Sequence, residues 1–446
     1  MSNARAQADA IFDSLLHRIG EKAPQPRLGA TRRTVELLGD PQQMYGIVHV
    51  TGTNGKTSTS RMIESLLRAH GLRTGLMTSP HLRRVNERIL IDGEPISDER
   101  FVENWLDIEP YIQLVDSELI EKGEEPLTYF EALTVLALAT FADAPVDVAV
   151  LEVGMGGEWD STNVADADVA VFTPIDLDHQ NRLGRTIAEI AKTKAGIIKP
   201  GSIVVSAIQP VEAHNEIINA SKLDEASLHV EGDDFELISA LDAVGGQVLQ
   251  VRGRAATYGE VPLTLHGRHQ AHNAALAIAA VESFLGDGEK PIPTNILSEG
   301  LGTVTSPGRL QYLGAEPPIL VDAAHNPHGA ASLAAAVIEA LPFERAWFVI
   351  GVLDDKDAAG IVSALDPVAA GFIVTQSKSD RAIPAEELFE IVAEIAGKDR
   401  VTVSPTLSEA VGQARGLASL QDAIIVSGSI TLVGEAIDLA ETENWK

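Results

Sequence analysis

Val48-His49-Val50-Thr51-Gly52-Thr53-Asn54-Gly55-Lys56-Thr57-Ser58 decides how the rest of the chain is read. Apolar and β-branched residues run into a glycine-bounded turn. Gly55-Lys56-Thr57 follows, and then a helical pattern through Ile63, Leu66 and Leu67. Strand, glycine loop and helix are the context that a phosphate-binding loop requires. Glycines let backbone N–H groups turn inward with no Cβ in the way. The N-terminus of the following helix adds partial positive charge. Lys56 is then expected to reach β- and γ-phosphates, and Thr57 or Ser58 to offer a hydroxyl to phosphate or Mg²⁺. In the common pattern GxxxxGK[ST] the first Gly falls at position 50, which is Val50 here. The loop is therefore a shortened form, Gly52-x-x-Gly55-Lys56-Thr57.

A chain of 446 residues is too long for one core, so two or three domains are expected. There is no cysteine, which removes disulfides and thiolate metal sites. Met1 to Ala10 is polar and lacks the order of a signal peptide. No apolar run approaches the ~20 residues of a membrane span. A soluble cytoplasmic protein is the expectation. The formal net charge of −30 argues against nucleic acid as a partner, because phosphate neutralisation needs a basic face. His81-Leu82-Arg83-Arg84-Val85-Asn86-Glu87-Arg88 is a local basic cluster. It reads either as a site for a small anionic ligand or as a solvated charged loop.

Residues 3–19 read as an amphipathic helix with Ile11, Leu15, Leu16 and Ile19 on one side, broken by Pro24, Pro26 and Gly29. Thr34 to Leu38 is a short helical patch. Gly71 closes the helix after the phosphate loop. Phe130 to Phe141 is apolar nearly all round, as in a buried helix. Val146 to Val153 and Val169 to Phe172 are continuous apolar runs, as in central parallel strands. From about 228 to 265 the pattern turns short and alternating, which predicts antiparallel strands at a margin. Thr305-Ser306-Pro307-Gly308 reads as a linker. Beyond it, strands centred on Leu320, Phe348, Ile373, Val401 and Ile425 alternate with helices. The fold class is α/β: a mostly parallel phosphate-loop domain over 1–304, then a smaller Rossmann-like α/β domain over 305–446.

Ligands of open α/β sheets lie beyond the carboxyl ends of strands. Glu152 follows one buried run, His179 another, and Ser79 a third. An oxygen, a carboxylate and an imidazole beside a triphosphate can serve Mg²⁺ or its bound water. Singly, Glu152 reads as a structural carboxylate and His179 as either structural or functional; the shared topological position favours the functional reading of the group. Lys192, Lys194 and Lys199 lie in a small and apolar run, and the residues alone favour snorkelling stems. In the second domain Asp322 and His325 again end a buried strand. Asn326 can cap the helix begun by Pro327, and Arg309 follows the linker.

Together these segments resemble the bifunctional folylpolyglutamate synthase/dihydrofolate synthase family of the Mur ligase superfamily. The resemblance rests on Gly52-Thr53-Asn54-Gly55-Lys56-Thr57, Thr78-Ser79-Pro80-His81-Leu82, Tyr129-Phe130-Glu131, Glu152-Val153-Gly154-Met155-Gly156-Gly157, Asp160-Ser161-Thr162-Asn163, Asp178-His179, Lys194-Ala195-Gly196-Ile197-Ile198-Lys199, His269-Gln270-Ala271-His272-Asn273, Pro307-Gly308-Arg309-Leu310, Asp322-Ala323-Ala324-His325-Asn326-Pro327 and Asp355-Lys356-Asp357. It implies that Gly52 through Ser58 hold ATP, with Asn273, Arg309 and Asp322 as further nucleotide contacts. Ser79, Glu152 and His179 would serve one or two Mg²⁺ ions. Lys194 would be carbamylated by CO₂, which reverses the reading from the residues alone. A pterin would lie near Arg27, Leu28, His81, Thr128, Tyr129, Phe130, Glu131, Trp159, Asp160 and Ser161. His325 would meet the incoming amino acid, and Lys56, Lys194 and His325 are the candidate catalytic groups. A monomer is implied, with small molecules as its only partners. Two positions depart from the family's pattern: Glu158 stands where Arg is common, and Thr193 where Glu is common before the lysine. The charge reversal bears on which pterin is preferred rather than on the reaction type.

The implied chemistry is ATP-driven amide formation. A substrate carboxylate attacks the γ-phosphorus, and the α-amine of L-glutamate then attacks the acyl phosphate. The rivals are a muramyl amino-acid ligase and a phosphate-loop switch without ligase turnover.

Overall fold

The computed structural model describes residues 3–20, 25–339, 343, 345–419 and 421–445. Met1, Ser2 and Pro24, on which parts of the N-terminal expectation rest, lie outside the described residues. The chain divides into two compact units. The first comprises Met1–Ser239, Leu249–Pro262 and His272–Val304; the second comprises Ala240–Val248, Leu263–Ala271 and Thr305–Lys446.

The first unit is built on eight strands: β1 (Gly46–Thr51), β2 (Thr74–Met77), β3 (Ile89–Ile91), β4 (Glu94–Pro95), β5 (Val148–Glu152), β6 (Val169–Phe172), β7 (Ile203–Ser206) and β8 (Ser227–Val230). Their order is β4-β3-β2-β5-β1-β6-β7-β8. The pairs from β2 to β8 are parallel, and β3 and β4 add an antiparallel edge. All five residues of β5 are buried, as are all four of β6, because helices cover both faces. One face is filled by Phe101, Trp105 and Ile112 of helix Asp98–Glu121 and by Leu133, Leu136 and Phe141 of helix Tyr129–Asp143. The other holds Phe172, Ile190, Ile197, Val204 and Ile217. Full burial of each such side chain contributes about 1.5–3 kcal/mol.

Local signals set the element ends. Ser97 Oγ accepts the N–H of Arg100, capping a helix whose first turn carries Asp98 and Glu99. Gly71 takes φ +84° and gives its N–H to Arg68 O, closing the helix Lys56–Ala69 as expected. Three expectations fail. Gly29 does not break a helix but opens one, Gly29–Leu37. The first helix ends at Leu16, which is 57% exposed, so only part of the expected apolar side is buried. Residues 227–230 do not join an antiparallel margin; they pair in parallel with β7, as the last strand of the main sheet. Residues 236–263 follow as a three-stranded sheet of β9 (Glu236–Ala243), β10 (Gly246–Arg252) and β11 (Thr257–Leu263).

The second unit carries a six-stranded sheet of β12 (Gln311–Ala315), β13 (Pro318–Val321), β14 (Arg345–Ile350), β15 (Ala369–Val374), β16 (Val401–Val403) and β17 (Asp422–Ser427), ordered β12-β13-β17-β14-β15-β16. All neighbours are parallel except β12 with β13. Phe348 and Phe372 stack in its core at 5.7 Å. The fold is α/β throughout, with a mixed but mostly parallel sheet in each unit. Among the described residues no helix is long and apolar enough to cross a membrane.

Candidate active site

β1 lies between β5 and β6, so the carboxyl ends of these three strands bracket the glycine loop. The loop leaves β1 at Thr51, whose Oγ1 donates to Gly156 O at 2.8 Å. Gly52 has φ +145° and lies so close to Thr173 that a Cβ there would stand 2.8 Å from its carbonyl oxygen. Gly55 has φ +88°, with Asn273 Oδ1 only 2.8 Å from where its Cβ would be. Both positions therefore demand glycine. The second contact also brings Asn273, distant in sequence, to the loop. Thr53 locks onto the loop after β6: its Oγ1 donates to Asp176 O, and its N–H donates to Pro174 O. Lys56 begins the helix and donates Nζ to Gly52 O and Thr53 O, both at 3.1 Å.

Glu152, 1% exposed at the end of β5, joins two strand ends to the loop. Its Oε1 accepts from Thr57 Oγ1 at 2.8 Å, and its Oε2 accepts the Ser79 N–H at 3.2 Å. Thus Ser79 reaches Glu152 through its backbone. His179 takes φ +50°, and its Nε2 lies 3.9 Å from Asp178 Oδ2. Among the described residues no three His, Cys, Asp or Glu are grouped to hold a metal by themselves. One carboxylate with neighbouring hydroxyls beside a phosphate loop is nevertheless a donor set that fits Mg²⁺, which takes its other ligands from phosphate and water.

Lys194 is 4% exposed and donates Nζ to Gly52 O at 2.7 Å. Burial, reinforced by the Lys56 charge, lowers its pKa to about 7, against the pull of Asp178 and Asp160. Its two neighbours in the motif differ. Lys192 is exposed, and Lys199 donates to Asn163 O at 3.1 Å and lies 3.4 Å from Asp166. The positions that depart from the family's pattern are adjacent in space, since the Glu158 N–H donates to Thr193 O at 2.8 Å.

The residues expected near a pterin fall into two groups. Arg27 forks onto Glu131, with both contacts at 3.1 Å, and its other N–H groups meet Glu125 O and Pro126 O. Thr128 and Glu131 form a reciprocal cap on helix Tyr129–Asp143. Leu28 packs half-buried on the core beside them. In the second group Phe130 lies against Gly154, and Trp159 against Gly156. Asp160 is buried, and the Ser161 hydroxyl bonds that of Thr134 at 2.6 Å. His81 Nδ1 accepts from Arg88 Nε at 2.8 Å, which leaves the ring proton on Nε2. Burial and the Arg88 charge lower the His81 pKa to about 3. The Arg88 guanidinium lies over the Tyr129 ring at 5.3 Å. The basic cluster is accordingly not an open anion patch. Arg88 is 3% exposed, and Arg84 pairs with Asp98 at 2.9 Å and Asp9 at 3.4 Å. The role of Arg88 in fixing the His81 tautomer was not readable from spacing.

In the second unit Asp322 ends β13. Its two oxygens accept the N–H groups of Leu310 and Ala324, both at 2.9 Å, so it ties the Arg309–Leu310 turn to the strand end. Burial raises its pKa while the Arg309 charge opposes the shift. His325 Nδ1 lies 2.8 Å from Ala323 O. A carbonyl only accepts, so Nδ1 carries the proton and Nε2 is the basic nitrogen of the neutral ring.

Comparison with known proteins comes to the same place. Residues 50–281 match the Mur ligase middle domain, and residues 308–430 match the Mur ligase glutamate ligase domain. The chain is 41% identical over 447 residues to the dihydrofolate synthase/folylpolyglutamate synthase of Mycobacterium tuberculosis, covering 94% of this chain and 92% of that protein. It is 35% identical to the folylpolyglutamate synthase of Lacticaseibacillus casei, with 91% and 94% covered. Among solved structures, the Mycobacterium tuberculosis folylpolyglutamate synthase complexed with ADP superposes with a TM-score of 0.94 at 40% identity, covering 98% of this chain and 99% of that one. The Escherichia coli FolC complex with DHPP and ADP gives a TM-score of 0.86 at 29% identity, with both chains covered completely, 100% and 100%.

Proposed function

The chain belongs to the dihydrofolate synthase/folylpolyglutamate synthase family of the Mur ligase superfamily, and from that premise we propose how its own residues perform the reaction. It is an ATP-dependent ligase that attaches glutamate in folate metabolism; neither the muramyl ligase nor the switch is favoured. The observation that carries the residue roles is Glu152, which draws together the ends of β5 and β2 and the phosphate-loop helix through Thr57 and Ser79.

The carboxylate of dihydropteroate, or the γ-carboxylate of a tetrahydrofolate, attacks the γ-phosphorus of ATP. The bond to the bridging oxygen breaks, and ADP leaves. Gly52 to Ser58 cradle the triphosphate, and Lys56 exchanges its loop carbonyls for phosphate oxygens. Asn273, beside Gly55, contacts the nucleotide, as do Arg309 and Asp322. Glu152, Ser79, Thr57 and His179 would hold Mg²⁺, which neutralises charge on the transferring phosphoryl group when bound. Lys194, whose lowered pKa leaves much of it as the neutral amine, would add CO₂: the ammonium loses one proton, the amine forms an N–C bond and loses a second, and a cation becomes a carbamate anion. The Trp159–Ser161 loop, Phe130 and His81 face the pterin. Arg27, Thr128 and Glu131 hold the helix that carries Phe130. His325, through Nε2, would take the proton of the glutamate ammonium, so that a neutral amine attacks the acyl carbon and phosphate is expelled.

The proposal includes the division of labour between residues 1–304, for ATP and pterin, and residues 305–446, for glutamate. It also includes action as a cytoplasmic monomer on small molecules alone. The test is phosphate release from ATP and Mg²⁺ with dihydropteroate or tetrahydrofolate, each with and without L-glutamate. Release requiring both pterin and glutamate supports the reading, and the better pterin identifies the preferred substrate. Release indifferent to both removes it.

A further inference from the structure

His49 lies in the middle of β1, between Leu151 of β5 and Ala170 of β6, with no exposed surface. A central strand covered on both faces ordinarily carries an apolar residue there. The His49 Nε2 is 2.8 Å from Thr162 Oγ1. The Thr162 hydroxyl in turn lies 2.5 Å from Asp160 Oδ1 and donates to it. A hydroxyl has one proton, so toward His49 it accepts, and the ring proton is on Nε2. His49 Nδ1 is left buried with no hydrogen-bond partner. That arrangement is unfavourable by itself, so the bond at Nε2 accounts for the residue. Burial, with the Lys199 charge, lowers the ring's pKa to about 3, which keeps it neutral and the tautomer fixed.

Asp160 passes the constraint onward. Its Oδ1 also accepts the Thr162 N–H at 3.0 Å, and its Oδ2 accepts the Met155 N–H at 2.9 Å. The same loop is tied to β1 a second time, by Thr51 Oγ1 to Gly156 O at 2.8 Å. It is pressed against the lysine helix, where a Cβ on Gly157 would stand 2.6 Å from Lys194 O. We propose that His49 is a positioning residue for the pterin: through Thr162 and Asp160 it fixes the Gly154–Ser161 loop against the strand that feeds the phosphate loop. The inference rests on the pterin reading of that loop given above. Displacing Asp160 moves Trp159 and Ser161 with it, while Gly52 to Lys56 keep their own anchors at Pro174 and Asp176.

Steady-state kinetics of His49→Leu, His49→Gln, Thr162→Val and Thr162→Ser test it, with KM measured separately for ATP and for the preferred pterin. The Leu variant, which loses the one bond at Nε2, is expected to raise the pterin KM about tenfold, the Val variant, which loses that bond and the one to Asp160, at least as much, and both are expected to leave the ATP KM within about twofold. Gln can place an N–H near the Nε2 position, and Ser keeps the hydroxyl, so both are expected to recover most of the affinity. Parallel rises in the two KM values, no change in either, or Gln no better than Leu would overturn the proposal. Should the Leu variant not fold, Thr162→Val, which keeps the side chain's shape, decides alone. The wild-type control separates the two readings. A wild type whose ADP formation ignores pterin defeats the proposed function, whereas a pterin-dependent wild type with indifferent variants defeats only the role of His49.

Discussion

At the scale of single residues, two side chains carry the sharpest consequences. Lys194 has a folded pKa of about 7 against an ordinary 10.5. The unfolded chain therefore binds more protons between those values, and stability rises with pH across that window. This one group supplies up to about 1.4 kcal/mol per pH unit. Urea unfolding of the nucleotide-free protein in bicarbonate-free buffer at pH 7 and pH 9 is expected to show that gain in the wild type and not in Lys194→Met. Parallel pH dependences would mean that the lysine is hydrated and ordinary. Glu152 is the other. Glu152→Gln keeps a partner for Thr57 but loses the charge that a divalent cation needs. ADP formation at saturating ATP is expected to fall about a hundredfold or more, with the Mg²⁺ dependence moved to higher concentration. An unchanged Mg²⁺ titration would take the metal away from this residue.

At the scale of elements, the phosphate loop and the cap of helix Tyr129–Asp143 separate what the sequence tells from what it hides. The loop was legible because strand, glycines, lysine and helix are contiguous, and their spacing alone defines the turn. Its two glycines are not equivalent, however, and only the folded chain shows it. A Cβ at Gly52 meets a fixed backbone carbonyl, whereas one at Gly55 meets the amide end of the Asn273 side chain and no backbone atom among its nearest neighbours. Gly52→Ala is therefore expected to cost more stability than Gly55→Ala, roughly 1–3 kcal/mol for the strained backbone, and to abolish the thermal shift given by ADP. The reverse order would mean that the loop relaxes at Thr173. Thr128 was expected at the pterin, and its hydroxyl is engaged by the Glu131 N–H at 3.2 Å. Thr128→Ala should lower stability by about 1 kcal/mol, and Thr128→Ser should restore it. A pterin KM that rises in the Ala variant and stays high in Ser would assign Thr128 to the ligand as well as to the cap. The elements that the sequence misplaced failed for physical reasons. Gly29 has the low helix propensity of any glycine but lies in a first turn, where that cost is small. Residues 227–230 read as marginal because β8 is the edge of the sheet and none of its residues is fully buried, Ser227 being exposed and the other three half-buried.

At the scale of the molecule, each unit places its candidate groups at the carboxyl ends of its own parallel strands. Alternation of strand and helix was enough to foresee that much. What spacing could not foresee was the private chemistry of the basic cluster. Arg84 and Arg88 read equally as part of an anion site or of a solvated charged loop, and neither reading shows that Asp9, Asp98 and His81 take them. That engagement matters because the formal net charge is −30, and every glutamate added to a folate adds a further carboxylate. A field of that sign opposes the approach of polyanionic tails over distances of order the Debye length, about 10 Å at 0.1 M salt and about 30 Å at 0.01 M. At saturating ATP, raising ionic strength from 0.01 to 0.15 M should therefore increase kcat/KM for a tetrahydrofolate bearing several glutamates more than for dihydropteroate, which has one carboxylate. Comparing two substrates at the same ATP concentration cancels the salt sensitivity of the nucleotide itself. A ratio that falls as salt rises would show that local basic groups, not the field of the whole molecule, govern capture of the tail.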